Sequence, residues 1–448
     1  MLWLGVIMLL GLAVRLYYIH VHTQHPSVFS DVFYYHGGAN LLAEGHGFVQ
    51  PYDFVAKGRS VPGADHPPGY IVALALASVF GFKSFFAHQI WSALIGTATI
   101  GVVGLVGRHL AGPRVALIAA FIAAVYPNFW FSDALIMSET LVLLMAALTL
   151  LAAYRFWERP GSGRAIVLGV VCGLTALTRS EAVLLLPLLV LPVVAFLRRL
   201  SVRRRIALLA IAAGATMATV APWVTYNLTR FEHPVFLSIP DATLLAGNCH
   251  DTYYGTFIGY WSVPCVLRLN LNSGDRSSAA VVYRREARRF IGQNLGRVPF
   301  VVFAREGRTW GFYHPDEQLQ LDRLATKELE LSRLGLGIYY FLAAGTIAAA
   351  VILRRRRVPV FPLLAIVLTP ALSVAVTIGE TRYRALAEVA LVLGGAVTID
   401  AVISRLRPRR RSTSEGPALG PSAGDGDTPG APPPPARMPA KVGPPGTS

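Results

Sequence analysis

The sequence predicts an all-α polytopic membrane protein with about ten transmembrane helices. Three observations carry that prediction. Of the 448 residues, 54% are hydrophobic and only 15% are charged, against roughly 25% charged in soluble domains, and the mean hydropathy is +0.50. Apolar runs of about 20 residues, the length that crosses a bilayer, recur along the chain. Basic clusters fall between them, at GRHLAGPR (107–114), RRLSVRRR (198–205), RRRR (354–357) and RLRPRRR (405–411). Short cytoplasmic loops carry such an excess of Lys and Arg. Topology therefore accounts for the net charge of +16, and nucleic acid is not expected as a partner.

Placing every basic cluster inside puts both termini in the cytoplasm. The predicted helices are 2–19, 86–107, 115–131, 138–157, 165–178, 181–197, 206–223, 335–353, 358–376 and 384–403. The first segment lacks a basic leader and a small-residue cleavage site, so it reads as a retained helix. In the outer loop 20–85, Ser30 and Asp31 suit a helix start before VFYYHGGANLLAEG. Further on, DHPPGYIVALALASVFG sets a charged pair and two prolines against an apolar run too short to span. Pro67 and Pro68 stop one helix and start the next, which predicts a short helix over 68–81 in the outer interface. Were it to cross, every later basic loop would face outward.

YPNFWFSDALIMSE (126–139) and TRSE (178–181) read as outer turns, the second a hinge between two short helices. The long loop 224–334 holds Cys249 and Cys265, whose shared polar setting favours a disulfide if the loop is extracytoplasmic. Two thiols alone serve zinc poorly, and Cys172 in an apolar run packs as a small hydrophobe. Residues 279–310 read as an amphipathic helix lying along headgroups, and GETRYR (379–384) as a last outer turn. The Pro- and Gly-rich tail after Arg411 buries nothing and is expected to be disordered. The organisation is thus a module 1–223, a loop 224–334, closing helices 335–405 and a tail 406–448. Lysine is scarce among the 41 basic residues, as in GC-rich bacterial genes, which points to a bacterial cytoplasmic membrane.

Ionisable groups at a membrane's depth or mouth are costly and mark function. Here Asp31, Asp65, His66, Asp133, Glu139, Arg179, Glu181, Glu380, Arg382 and Arg384 gather on the outer side. Carboxylates can take a proton, and arginines can grip a phosphate.

The order of helix one, SDVFYYHGGANLLAEGHGF (30–48), the His-Pro-Pro step and YPNFWFSDALIMSETL resembles the membrane-embedded GT-C glycosyltransferases. The nearest branch holds bacterial aminoarabinose-to-lipid-A transferases and protein O-mannosyltransferases. The resemblance implies the GT-C fold, a polyprenyl-phosphate sugar as donor, and a glycan, lipid or protein acceptor among membrane lipids. It implies Asp31 as general base on the acceptor. His66 stands where relatives place a Lys before proline, as a phosphate contact, and Glu139 in SETL as an acidic residue positioning substrate. Arg382 and Arg384 become phosphate clamps by location. Relatives often carry two adjacent acids in the first loop, whereas Val32 follows Asp31 here. A hard cation prefers several carboxylates, so no metal or other cofactor is expected.

Each candidate also has a purely structural reading. Asp31 could cap a helix, His66 could pack against the prolines, and Asp65 could pair with His66. Glu139 could complement a helix dipole, and Arg179 with Glu181 could brace the hinge. Asp133 reads as loop solvation. Tyr34 and Tyr35 read as interface aromatics, with sugar stacking by Tyr35 as the functional alternative. His20, His22 and His25 read as a wet interfacial flank. A flippase would instead place charges midway along helices and show inverted repeats. A ligase using a lipid diphosphate donor would gather outer arginines without the Asp31 loop and the His-Pro-Pro step.

Overall fold

The computed structural model describes residues 2–21, 30–269, 271, 275–324 and 328–406. His22, His25 and the tail beyond 406 lie outside the described residues. Helix α1 (Leu2–Val21) leads into a first loop carrying α2 (Asp31–Ala43), α3 (Pro51–Lys57) and α4 (Gly69–Val79). The bundle continues with α5 (Phe85–Ala111), α6 (Pro113–Val125), the short α7 (Phe131–Ala134), α8 (Glu139–Glu158) and α9 (Ser162–Thr178). The segment Ser180–Ala195 ends in α10 (Leu191–Ala195), followed by α11 (Val202–Arg230). The long loop folds as α12 (Asp241–Ala246), α13 (His250–Tyr253), α14 (Val263–Leu267), α15 (Arg276–Gln293), α16 (Val298–Thr309) and α17 (Pro315–Leu324). Helices α18 (Leu329–Arg355), α19 (Phe361–Val376) and α20 (Ala385–Leu406) close the chain.

All ten predicted segments are helical. Six described stretches are long and apolar enough to cross a membrane: α1, α5, α8, α11, α18 and Thr381–Leu406. The other four are shorter, and proline explains much of the difference. Tyr126 before Pro127 is extended and ends α6 at Val125, short of the predicted 131. Pro187 and Pro192 break the predicted helix 181–197 into a 3-10 turn, a π turn and α10.

Helix α20 is mostly apolar around its circumference, Glu388 apart, and buried from Leu386 to Val397, as a central helix must be. Close approach rests on small residues, as between membrane helices generally. A Cβ at Gly169 on α9 would run into the Ala212 carbonyl oxygen of α11, and Thr216 on α11 donates to the Gly169 carbonyl at 2.9 Å. Leu9, Met217, Ile347 and Val376 point outward, exposed.

The basic clusters at 107–114, 198–205 and 354–357 meet at one end. His109 pairs with Glu158, Arg199 donates to the Glu158 carbonyl at 3.1 Å, and Arg205 donates to that of Ala195 at 2.7 Å. Tyr154 reaches the Pro359 carbonyl at 3.0 Å. Helix α8 runs from this end at Glu158 to Glu139 at the other, 20 residues or about 30 Å away.

The loops depart from expectation in three ways. The amphipathic stretch 279–310 is two helices, parted at Asn294 with Pro299 in the first turn of the second. Its Arg305 and Arg308 turn inward, to the Gly247 carbonyl and to Glu317, so only part of the arginine set faces out. Asp133 is not solvated: it is fully buried against Arg15, whose Nε lies 2.7 Å from Oδ2. Tyr34 and Tyr35 are buried core residues rather than an interface belt. Cys249 and Cys265 are disulfide-bonded, and Cys172 is buried and free.

Candidate active site

Asp31 is the first residue of α2. Ser30 precedes it in extended backbone and makes no side-chain cap, so the Asp31 carboxylate is turned to other partners. His66 is delivered by the segment before α4, which is pinned on both sides. Arg230 donates to the Gly63 carbonyl at 2.6 Å, and the Ile239 amide donates to that of Ala64 at 2.8 Å. After the two prolines, Gly69 packs against the end of α9, where a Cβ would sit 2.7 Å from the Leu177 carbonyl oxygen. The glycine thus lets the His-Pro-Pro step reach the α9 terminus that presents Arg179.

Three elements then converge. His66 Nε2 lies 3.3 Å from Asp31 Oδ1, and Arg382 Nη1 donates to Asp31 Oδ2 at 2.6 Å. Arg382 Nε also donates to Glu380 Oε2 at 2.9 Å. Burial pushes the Asp31 carboxyl up, but the His66 imidazole and Arg382 guanidinium outweigh it and hold the group well below the usual carboxylate range. Tyr34 and Tyr35 flank the His66 ring, with centroids 5.1 and 5.0 Å away.

Beside this lies a second cationic unit. Arg179 donates to Glu181 at 2.8 Å and to Glu139 Oε1 at 3.0 Å, so the hinge pair of the sequence gains a third member. Tyr383 links the two units, its ring 4.7 Å from the Arg179 guanidinium carbon and 5.6 Å from that of Arg382. Glu139 starts α8. Three residues before it, the buried Ile136 has φ 51°, an unusual backbone for a β-branched residue.

Asp31, His66, Glu139, Arg179 and Arg382 are therefore brought together, with Tyr35 behind His66. Asp65 is not bonded to His66 as expected. It accepts from Gln50 at 2.7 Å and from Arg276 Nη1 at 3.2 Å, and Arg276 also pairs with Asp53. Arg384 turns inward to Glu388 at 2.7 Å, and Glu388 also accepts from Tyr126 at 2.8 Å and Asn128 at 3.1 Å. Arg382 and Arg384 line one cavity with Glu139 and Glu388.

Sequence reasoning missed Tyr383, Glu388 and the contributions of α17 and α18. The alternation Arg-Tyr-Arg in GETRYR was a signal for the first. Among the described residues, Cys249, Asp251 and Cys265 come close enough together to suggest a metal, but the two sulfurs are bonded to each other.

Residues 65–226 match a family model described as dolichyl-phosphate-mannose-protein mannosyltransferase. That span takes in His66, Glu139 and Arg179 and leaves out Asp31 and Arg382. No curated protein matches the chain. Among solved structures, the archaeal oligosaccharyltransferase AglB from Archaeoglobus fulgidus, in complex with an inhibitory peptide and a dolichol-phosphate, is 15% identical with a TM-score of 0.52, covering 90% of this chain and 50% of that one. The apo form of the Archaeoglobus fulgidus enzyme gives 13% and 0.51, over 90% and 51%. ArnT from Cupriavidus metallidurans bound to undecaprenyl phosphate gives 15% and 0.43, over 88% and 78%. The chain thus spans about half the length of the oligosaccharyltransferases it matches.

Proposed function

We propose that this chain, which has the GT-C fold, is a membrane glycosyltransferase that moves a sugar from a polyprenyl-phosphate donor to a hydroxyl or amine of an acceptor. The observation that carries the reading is the contact between Asp31 and Arg382, a carboxylate and a guanidinium drawn together from the first and last outer loops. The site lies at the end of α8 opposite the basic loops. By the positive-inside rule that end faces away from the cytoplasm, in a bacterial cytoplasmic membrane.

The chemistry is a direct displacement with inversion. The acceptor oxygen or nitrogen bonds to the anomeric carbon as the bond from that carbon to the phosphate oxygen breaks. The electron pair leaves with the phosphate, and the acceptor proton goes to Asp31. Charge grows on the leaving phosphate, where preorganised cations act most strongly. Arg382 supplies one, and Arg179, linked to it through Tyr383, supplies a second.

Before substrate arrives, Asp31 is a weak base because Arg382 and His66 hold its charge. A donor phosphate engaging Arg382 draws that guanidinium away and returns basicity to Asp31 as the reaction needs it. Both Asp31 oxygens already meet protein nitrogens, which fits a hard cation poorly. Our reading uses no metal.

The test is transfer itself. Membranes containing the wild-type chain, given labelled undecaprenyl-phosphate sugars and envelope acceptors, should release undecaprenyl phosphate and form a glycoside of inverted anomeric configuration. Retention of configuration, or sugar movement across the bilayer with the phosphate bond intact, would contradict the proposal.

A further inference from the structure

Arg382 has two neighbourhoods. On one side it holds Asp31, and on the other it lines a cavity walled by Glu139 of α8, Asp322 of α17, Ser332 of α18, and Arg384 and Glu388. Most of the polar wall is satisfied from within the protein. Glu388 accepts from Arg384, Tyr126 and Asn128, and Asp322 accepts from Gln318 at 2.9 Å and from Thr381.

Two atoms are exceptions. Glu139 Oε2 and Ser332 Oγ are buried without a hydrogen-bond partner among the described residues, in residues 3% and 7% exposed. Glu139 spends only its other oxygen, on Arg179. Buried polar atoms are nearly always paired, and leaving a carboxylate oxygen without a partner is costly. Two such atoms line the cavity that begins at Arg382.

We infer that this cavity receives the glycosyl ring of the donor, and that Glu139 Oε2 and Ser332 Oγ recognise its hydroxyl groups. The inference rests on the function proposed above. The ring carbon is bonded directly to a phosphate oxygen, so a phosphate at Arg382 leaves the ring beside the cavity that begins there, where polar and apolar side chains such as Leu319 and Leu336 mix. A carboxylate oxygen only accepts, and a serine hydroxyl accepts or donates. Together they suit a ring with several hydroxyls, and the carboxylate repels the bare lipid phosphate. Part of the wall comes from α17 and the first turn of α18, so the long loop contributes to the choice of sugar.

The experiment compares binding of undecaprenyl phosphate with that of its mannosyl, glucosyl and arabinosyl derivatives to the full chain in nanodiscs. The wild type should bind at least one sugar-bearing form more tightly than the bare phosphate. Glu139→Gln should lose that gain by about tenfold, the worth of one hydrogen bond to a charged group, and Ser332→Ala by severalfold. Ser332→Ala, which touches no phosphate-binding cation, should bind bare undecaprenyl phosphate within about twofold of wild type. Ser332→Ala removes an unpaired hydroxyl, so its melting temperature should hold or rise, whereas a structural role for that hydroxyl predicts a fall. Equal weakening of bare and sugar-bearing lipids, or no weakening, overturns the ring site while leaving the transferase reading intact. A wild type that binds none of these lipids contradicts the transferase reading, and the ring site falls with it.

Discussion

Arg382 donates to Asp31 across 2.6 Å although 351 residues separate them in sequence. Neither side chain is fully shielded, at 23% and 30% exposed, so a substrate can reach between them. The first loop and the last turn of the chain thus share one charge pair at the mouth of the bundle.

Replacing the cation should show first in the chemistry. Arg382→Ala is expected to lower kcat/KM by about 10²–10³-fold, the loss typical of removing one preorganised donor from a developing charge. Arg382→Lys should recover only part, because a lysine lacks the planar fork that grips two partners. Steady-state kinetics with varied donor checks both.

The same variant carries a pH signature. Asp31 sits below the ordinary carboxylate range, with burial pushing up against His66 and Arg382 pulling down. Without Arg382 the upward push is less opposed, so the Asp31 pKa rises. The acid limb of kcat/KM against pH, which reports the free enzyme, should move to higher pH. For stability, the pair's contribution is present above the unfolded carboxylate pKa of about 3.9 and is lost only as pH falls from there through the lower folded value. Neutral-pH stability should therefore be insensitive to small changes of pH at this site.

The buried pair of Arg15 and Asp133 should matter for folding. Both side chains are 0% exposed, and Asp133 also accepts from Thr140 at 2.7 Å. Asp133→Ala leaves a buried guanidinium without its counter-charge, a loss of about 3–5 kcal/mol. Thermal unfolding in detergent should fall sharply, with transfer by the remaining folded protein little changed.

Helix packing gives a further test. Gly169→Leu cannot keep the approach of α9 to α11, because the added Cβ alone meets the Ala212 carbonyl. Overpacking of this kind costs about 1–3 kcal/mol or more. A lowered melting temperature checks it, with Gly163→Ala, whose Cβ meets nothing, as the neutral control.

Orientation is open to labelling. Ser60 and Arg356 are both exposed, one in the loop that delivers His66 and the other in a basic cluster. Cysteines placed at these positions should react from opposite sides of the membrane with an impermeant reagent.

Much of the bundle was legible because apolar runs and basic clusters are local signals. The helix starts of α4 and α6 were written in Pro68 and Pro113. The breaks at Pro127, Pro187 and Pro192 are equally written, but the apolar runs continue across them and mask the helix ends. The site was legible as types rather than as pairs. Acids and arginines at outer turns could be picked out, yet which arginine meets which acid depends on chain ends far apart. Asp65 shows this: next to His66 in sequence, it pairs with Arg276 in the long loop instead. Asp133 looked like loop solvation because its partner, Arg15, sits on another helix. Ser332 and Asp322 carried no pattern at all, since a cavity wall leaves no periodic trace.

The most direct measurement is single-turnover transfer by Asp31→Asn with the donor already bound. The account predicts donor affinity at or above wild type, because Arg382 no longer leaves a charged partner to engage the phosphate, a folded protein, and transfer slowed by 10²–10⁴-fold, the usual worth of a general base. Transfer at the wild-type rate in that variant would contradict it.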